Sequence, residues 1–269
     1  MSDNAGSYAF GEFDENDKEL TRLKHQASIA LELERGFWHK LGLEEGMDLL
    51  DVACGPGITA CELARLVFPG QVTGLDINDA LIQVARGVKD EQQTANVAFN
   101  TGDVYKLPYK EQFDFAYARF LFQHLERPRD ALKNIFSSLR PGGRVCIVDV
   151  DDSWLSVYPK TDEFTSFTTL AAEGQHTQGG DRFVGRKLQA YLLEAGFEKP
   201  TIEVVVMNAA QLGIKSFLDI TTGFKREHLT DETRAEGEEL LTEIYGLCAE
   251  PGAWGAVGVF VAVAEKPKA

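Results

Sequence analysis

Leu49-Leu50-Asp51-Val52-Ala53-Cys54-Gly55-Pro56-Gly57-Ile58-Thr59-Ala60 is the stretch that decides the fold. An apolar pair meets an acid, the chain bends through Gly-Pro-Gly, and Ile58 onward (ITACELARLV) carries helical spacing. Strand, glycine turn and helix make a βα unit of the nucleotide-binding kind. Glycine lets the backbone approach a ligand closely, and the first helical turn offers unpaired N–H groups at the positive end of its dipole.

Working outward, the same alternation repeats. Strands are expected at Gln71–Asp76, Asn96–Thr101, Gln112–Ala118, Arg144–Val150, Thr201–Met207 and about Ala256–Ala264. Helices are expected at Asp14–Lys40, with Leu20, Leu23, Ala27 and Leu31 at helical spacing and Asp14 or Asn16 as cap. Others start at Asp79, acting as cap, and at Pro128, the latter running to Leu139 and closed by Pro141-Gly142-Gly143. A further helix is expected at Gly185–Ala195. Asp76 ends its strand ~20 residues beyond the glycine turn, an offset at which a carboxylate can take both hydroxyls of a ribose. Gln123 and His124 are a polar pair in the apolar run Phe120–Leu125, at the carboxyl end of a strand, where open α/β sheets bind ligands. His124 could take a proton near neutral pH, or could simply pin the turn.

Composition bounds the reading. The chain has 269 residues, 44% hydrophobic and 26% charged, as in globular domains. With 27 basic and 42 acidic residues, net −15, it repels a phosphate backbone, so the expected partner is a small molecule, neutral or cationic, and no nucleic acid. Cys54, Cys61, Cys146 and Cys248 form no Cys-x-x-Cys pair and histidine is scarce, so no metal is expected and the thiols read as buried and reduced. The polar, acidic start and the lack of a long apolar run predict a cytosolic protein with no membrane partner. The sequence does not disclose an oligomeric state.

Asp51-Val52-Ala53-Cys54-Gly55-Pro56-Gly57 resembles the first motif of the class I methyltransferases that use S-adenosylmethionine (SAM), Asp/Glu-x-Gly-x-Gly-x-Gly, with Ala53 in place of the first glycine. The likeness is strong over about Met47–Asp149 and weak in the flanks. It implies an α/β fold, a doubly wound, mostly parallel seven-stranded Rossmann-like sheet with its last strand antiparallel. It also implies SAM as cofactor, S-adenosylhomocysteine as product, and methyl transfer to a small molecule. The cofactor-binding residues it implies are Asp51, Ala53, Gly55, Gly57, Asp76, Ile77, Asp103, Val104, Arg119 and Tyr8. In the family, Asp103 and the Val104 N–H fall beside adenine, and Arg119 falls beside the methionine part. Gln123 and His124 then become the catalytic candidates facing the acceptor, and Tyr8 and Phe10 become lid residues. The Arg-Pro-Gly-Gly-Arg passage matches the family's stop before its fifth strand.

Four regions are expected: an N-terminal helical lid (1–40), a SAM-binding core (41–150), an insertion with a Gly179-Gly180 hinge near the substrate (151–184), and the rest of the core (185–269) with a helical cap (208–255). The acidic run Asp149, Asp151, Asp152 is too local to hold a metal and reads as a pocket wall for a polar or cationic acceptor. Two alternatives stay open. One is a SAM-binding regulatory protein without turnover. The other is an NAD(P)-dependent oxidoreductase, since Gly55-x-Gly57-x-x-Ala60 also satisfies the dinucleotide pattern. Against the latter stand Asp51, the Gly102-Asp103 pair and the lack of a Tyr-x-x-x-Lys pair.

Overall fold

A computed structural model describes Ser7 and residues 16–268. Tyr8, Phe10 and Asp14 lie outside the described residues. The central strands are β1 (Leu49–Val52), β2 (Val72–Asp76), β3 (Val97–Thr101), β4 (Phe113–Arg119) and β5 (Leu139–Val150). They are mutually parallel, in the order β3-β2-β1-β4-β5. The C-terminal strand β8 (Trp254–Glu265) inserts antiparallel beside β5, and β7 (Glu198–Asn208) pairs antiparallel along its other side. A three-residue strand, β6 (Ser156–Tyr158), continues the β5 edge against Trp254–Ala256. It makes the eighth strand, one more than the sequence led us to expect.

Both faces of the sheet are covered, which is why its strands read as apolar runs. Successive residues alternate between two cores. Leu49, Phe115, Tyr117 and Cys146 face α1 (Asn16–Trp38), α2 (Ile58–Val67) and α3 (Asp79–Glu91). Leu50, Ala116, Ala118 and Ile147 face α4 (Pro128–Ser138) and α6 (Leu188–Glu194). A third core belongs to the cap, where Phe164 and Phe167 of α5 (Asp162–Thr177) meet Phe217 and Leu218 of α8 (Ile214–Thr221) and Leu241 and Ile244 of α9 (Arg234–Tyr245). The one-turn α7 (Ala209–Leu212) leads into α8.

Four local expectations change. α4 stops at Ser138, before Pro-Gly-Gly, because Lys266 Nζ reaches back from the β8 end and donates to the Phe136 and Leu139 carbonyls at 3.1 and 2.7 Å. Pro141-Gly142-Gly143 is therefore an irregularity within β5, with Gly142 at φ +79°. The cap of α3 is Asn78, whose Oδ1 accepts from Leu81 N at 3.1 Å, while Asp79 takes the hydroxyl of Thr101. Gly180 is a packing glycine, since a Cβ there would lie 2.5 Å from Ser7 Oγ. Three cysteines are buried and all four are free, but Cys248 is exposed.

Candidate active site

A cleft of about 200 Å³ opens along the carboxyl ends of β1, β2, β3 and β4. Asp51, Ala53, Gly55, Asp76, Ile77, Asp103, Val104, Arg119, Gln123 and His124 all line it. Gly57 does not. It sits at φ +78° at the start of α2, where a Cβ would lie 2.6 Å from Ala85 Cβ and 2.7 Å from Phe99. Its Cβ side is taken up by the packing of α2 against α3 and β3.

The glycine turn is tied to the second strand. Gly55 N–H donates to Asp76 Oδ2 at 2.9 Å, and Asn78 N–H donates to Asp76 Oδ1 at 2.9 Å. Burial raises the Asp76 pKa, against these backbone N–H bonds. On its outer side Gly55 faces open space, with no protein atom within 4 Å of where a Cβ would stand. Asp103 Oδ1 accepts from Tyr105 N–H at 2.8 Å, capping the short turn at Val104–Lys106, while the side chain still borders the cleft. Ile77, half-exposed, lies beyond Asp76 on the cleft wall. Ala53 stands at φ +59°, a left-handed conformation that glycine adopts freely and alanine does not. The alanine thus has a backbone consequence that size alone did not suggest.

At the other end, Arg119 stacks on Phe120, 4.4 Å from the ring centre, and Phe120 itself has φ +51°. Gln123 is buried, and its Oε1 accepts from Arg182 Nη1. Its Nε2 therefore turns away from the guanidinium and reaches the Phe120 carbonyl at 3.5 Å. His124 Nδ1 lies 3.0 Å from Ser7 Oγ and 3.2 Å from Gln175 Nε2. Ser7 N–H also donates to the His124 carbonyl at 2.9 Å. Burial, then the charges of His228, Arg182 and Arg22, lower the His124 pKa well below the ordinary range, so the ring is neutral at neutral pH.

The acidic run is not a pocket wall: none of the three lines the cleft, Asp151 and Asp152 are met by cations, and Asp149 is met by backbone N–H groups. Arg182 grips Asp152 with two bonds of 3.0 and 2.8 Å, and Lys225 Nζ adds a third at 2.6 Å. Burial opposes that carboxylate, but the two cations outweigh it and bring its pKa to about 2. Arg186 pairs with Asp151 at 2.8 Å. Asp149, fully buried, accepts from Gln123 N–H at 3.2 Å and Val150 N–H at 2.9 Å, and burial still pushes its carboxyl up to about 7. Among the described residues, no group of three or more His, Cys, Asp or Glu is placed to hold a metal.

Sequence reasoning passed over Arg22 and Gln26 of α1, Phe120, and Phe224 from the cap, all of which line the cleft. Arg22 sits 4.6 Å over the Phe224 ring, so the N-terminal helix and the cap meet across the opening. No local motif marks these residues, because partners some 200 positions apart share no spacing rule. Gly102-Asp103, Asp76 and the glycine turn carry such rules.

A family profile described as a methyltransferase domain matches residues 43–190, just over half of the chain. The chain belongs to the class I SAM-dependent methyltransferases. The ubiquinone/menaquinone biosynthesis C-methyltransferase UbiE of Pseudomonas putida is 28% identical over 175 residues, covering 60% of this chain and 68% of that one. The matches to two further curated relatives, from Streptomyces fradiae and Schizosaccharomyces pombe, span only 46% and 56% of their lengths, about half. A SAM-dependent methyltransferase from Aquifex aeolicus has the same fold, with a TM-score of 0.55 at 18% identity over 93% of this chain and 99% of that one. So does the [4+2]-cyclase SpnF, with a TM-score of 0.53 at 20% identity over 84% of this chain and 77% of that one.

The cofactor of this family is SAM. The cleft fits it by the chemistry of its donor set, with Asp76 and Asp103 on adjacent strand tips and an open backbone face at Gly55. No described helix is long and apolar enough to cross a membrane.

Proposed function

We propose that this protein transfers a methyl group from SAM to a small-molecule acceptor lodged beside Gln123 and His124. One observation carries the reading. A single cleft joins the tips of β1, β2 and β3 to that polar pair, so a ligand gripped at one end is presented to the other. Asp76 takes the ribose hydroxyls, Asp103 and Val104 N–H take the adenine edge, and Ile77 covers its face. Gly55 and Arg119 hold the methionine part, the arginine as counter-ion to its carboxylate.

Bound SAM supplies a sulfonium methyl, already a good electrophile. What remains for the protein is alignment and exclusion of water. Arg22, Phe224, Phe120 and Leu121 enclose the acceptor end and keep it poor in water. Gln123 and His124 orient the acceptor by hydrogen bonding. The name C-methyltransferase borne by the UbiE relatives brings a carbon acceptor to this chain as the first choice to test.

Calorimetry with SAM, S-adenosylhomocysteine and NAD(P) tests the cofactor half, with binding expected for the first two alone. Formation of S-adenosylhomocysteine across phenol, enol, amine and thiol acceptors tests the rest. Tight SAM binding without turnover on any class would favour a non-catalytic SAM protein. That possibility has weight because the fold is shared with a cyclase. His124→Ala should lower turnover and keep SAM affinity. An unchanged rate would leave His124 a structural residue.

A further inference from the structure

We propose that the acceptor recess selects a molecule carrying an oxyanion at or next to the methylated atom, and that Arg182 is the positioning residue that makes it do so. This rests on the methyltransferase reading of the cleft and adds the class of acceptor.

The argument starts from Gln123. A glutamine amide can face a ligand with its oxygen or with its NH2, and the two faces recognise opposite partners. Arginine is only a donor, so the bond from Arg182 Nη1 fixes Oε1 on the inner side. The NH2 group must then turn the other way. One of its protons reaches the Phe120 carbonyl only at 3.5 Å, the outer limit of a hydrogen bond. Gln123 thus meets the cleft as a donor.

His124 is set the same way. Gln175 Nε2 donates to the Gln123 carbonyl at 2.9 Å, which fixes that amide too, and its other proton points toward Ser7 Oγ (3.0 Å) and His124 Nδ1 (3.2 Å). The network is satisfied when Nδ1 accepts, which leaves the ring proton on Nε2. Two neighbouring side chains on the cleft wall then carry donor groups.

Charge agrees with this. Behind Gln123, Asp152 is shared by Arg182 and Lys225, all three buried. One carboxylate answers two cations. Of the other two acids of this run, Asp151 is paired with Arg186, and Asp149 stays protonated up to near-neutral pH. Arg119 also lines the cleft, while Arg22, on the same wall, is paired with Glu19 at 2.7 and 2.6 Å. The chain as a whole carries −15, which pointed to a neutral or cationic acceptor, whereas the group directly behind Gln123 holds two cations for one carboxylate. A cationic amine would meet donors and like charge. A phenolate or enolate would meet donors and a compensating field, with its electron pair in reach of an electrophile.

The test uses full-length protein saturated with S-adenosylhomocysteine and three probes of similar size at neutral pH. These are 2,4-dinitrophenol, which is ionised there, its methyl ether 2,4-dinitroanisole, and phenyltrimethylammonium. Dinitrophenolate should bind at least ~10-fold more tightly than the ether and the ammonium. Gln123→Glu, nearly isosteric, places a second acceptor where the NH2 stood and should abolish the preference while keeping S-adenosylhomocysteine affinity. Arg182→Lys keeps a cation beside Asp152 but loses the fork that holds Gln123. It should shrink the phenolate-to-ether ratio, a readout that a merely structural arginine would not move. Equal affinity for ether and phenolate, preference for the ammonium, no probe bound at all, or an unchanged ratio in Gln123→Glu each overturns the proposal. Failure to bind S-adenosylhomocysteine in the same samples would instead overturn the methyltransferase reading.

Discussion

The two ends of the cleft are built on different plans. The cofactor end draws on residues 51–104, from three consecutive strand tips, and works through backbone turns and acids at the surface of a buried sheet. The proposed acceptor end gathers Ser7, Arg22, Gln123, Gln175, Arg182 and Phe224 from six separate segments. Ser7 and Gln175 alone lie 168 positions apart. A site of the first kind can be kept while the second is rebuilt, because only the second is bound up with the cap. The price of that freedom is buried charge, which ties acceptor recognition to stability.

If this contrast holds, substitutions at the acceptor end should act first on stability and those at the cofactor end first on ligand affinity. The largest effect is expected for Asp152→Asn, which leaves Arg182 and Lys225 buried together without a carboxylate. Denaturant unfolding should show a loss of ~3–5 kcal/mol, whereas Lys225→Met, which leaves one cation for one acid, should cost less than ~1 kcal/mol. Equal losses would mean that the three do not act as a charge cluster.

Next comes pH. Asp149 is raised from 3.8 to about 7 by burial, so between those values the folded chain holds a proton that the unfolded chain has released. Stability therefore falls as pH rises through that window, by an amount on the order of 4 kcal/mol, and is lowest above it. Asp149→Asn should remove this slope, as read from melts on either side of the window. A parallel slope in the variant would assign the effect to another group.

At the cofactor end, Asp76→Ala should weaken SAM binding by more than ~1.5 kcal/mol, over ~10-fold, since a charge-assisted acceptor is lost and the Gly55 turn loses its anchor. Unchanged affinity in calorimetry would remove the ribose assignment. The smallest effect is expected for Ala53→Gly. The left-handed conformation costs alanine ~1–2 kcal/mol, and glycine returns ~0.5–1 kcal/mol as chain entropy, so a net gain of ~0.5–1 kcal/mol should appear in the denaturation midpoint.

Legibility in the sequence followed the same division. Asp76 was found by its offset from the glycine turn, where the covalent chain itself sets the distance between strand tips, and Asp51, Gly55 and Asp103 by resemblance to a family motif. Gly57 came from the same motif, and only the fold showed that its Cβ side is closed by Ala85 and Phe99. Asp149, Asp151 and Asp152 show the limit most clearly. As letters they are three adjacent acids. Asp151 and Asp152 took their meaning from Arg186, Arg182 and Lys225, which lie 30 or more positions away, and Asp149 took its meaning from burial.

By itself the sequence determined the layered sheet, the glycine corner and the acids at successive strand ends, because these depend on local periodicity and on short, fixed connections. Only the tertiary structure decided which side of Gln123 meets Arg182, and that Asp151 and Asp152 are answered by Arg186, Arg182 and Lys225. Such pairings are set by whichever groups folding brings within a few ångströms, and no spacing along the chain encodes them.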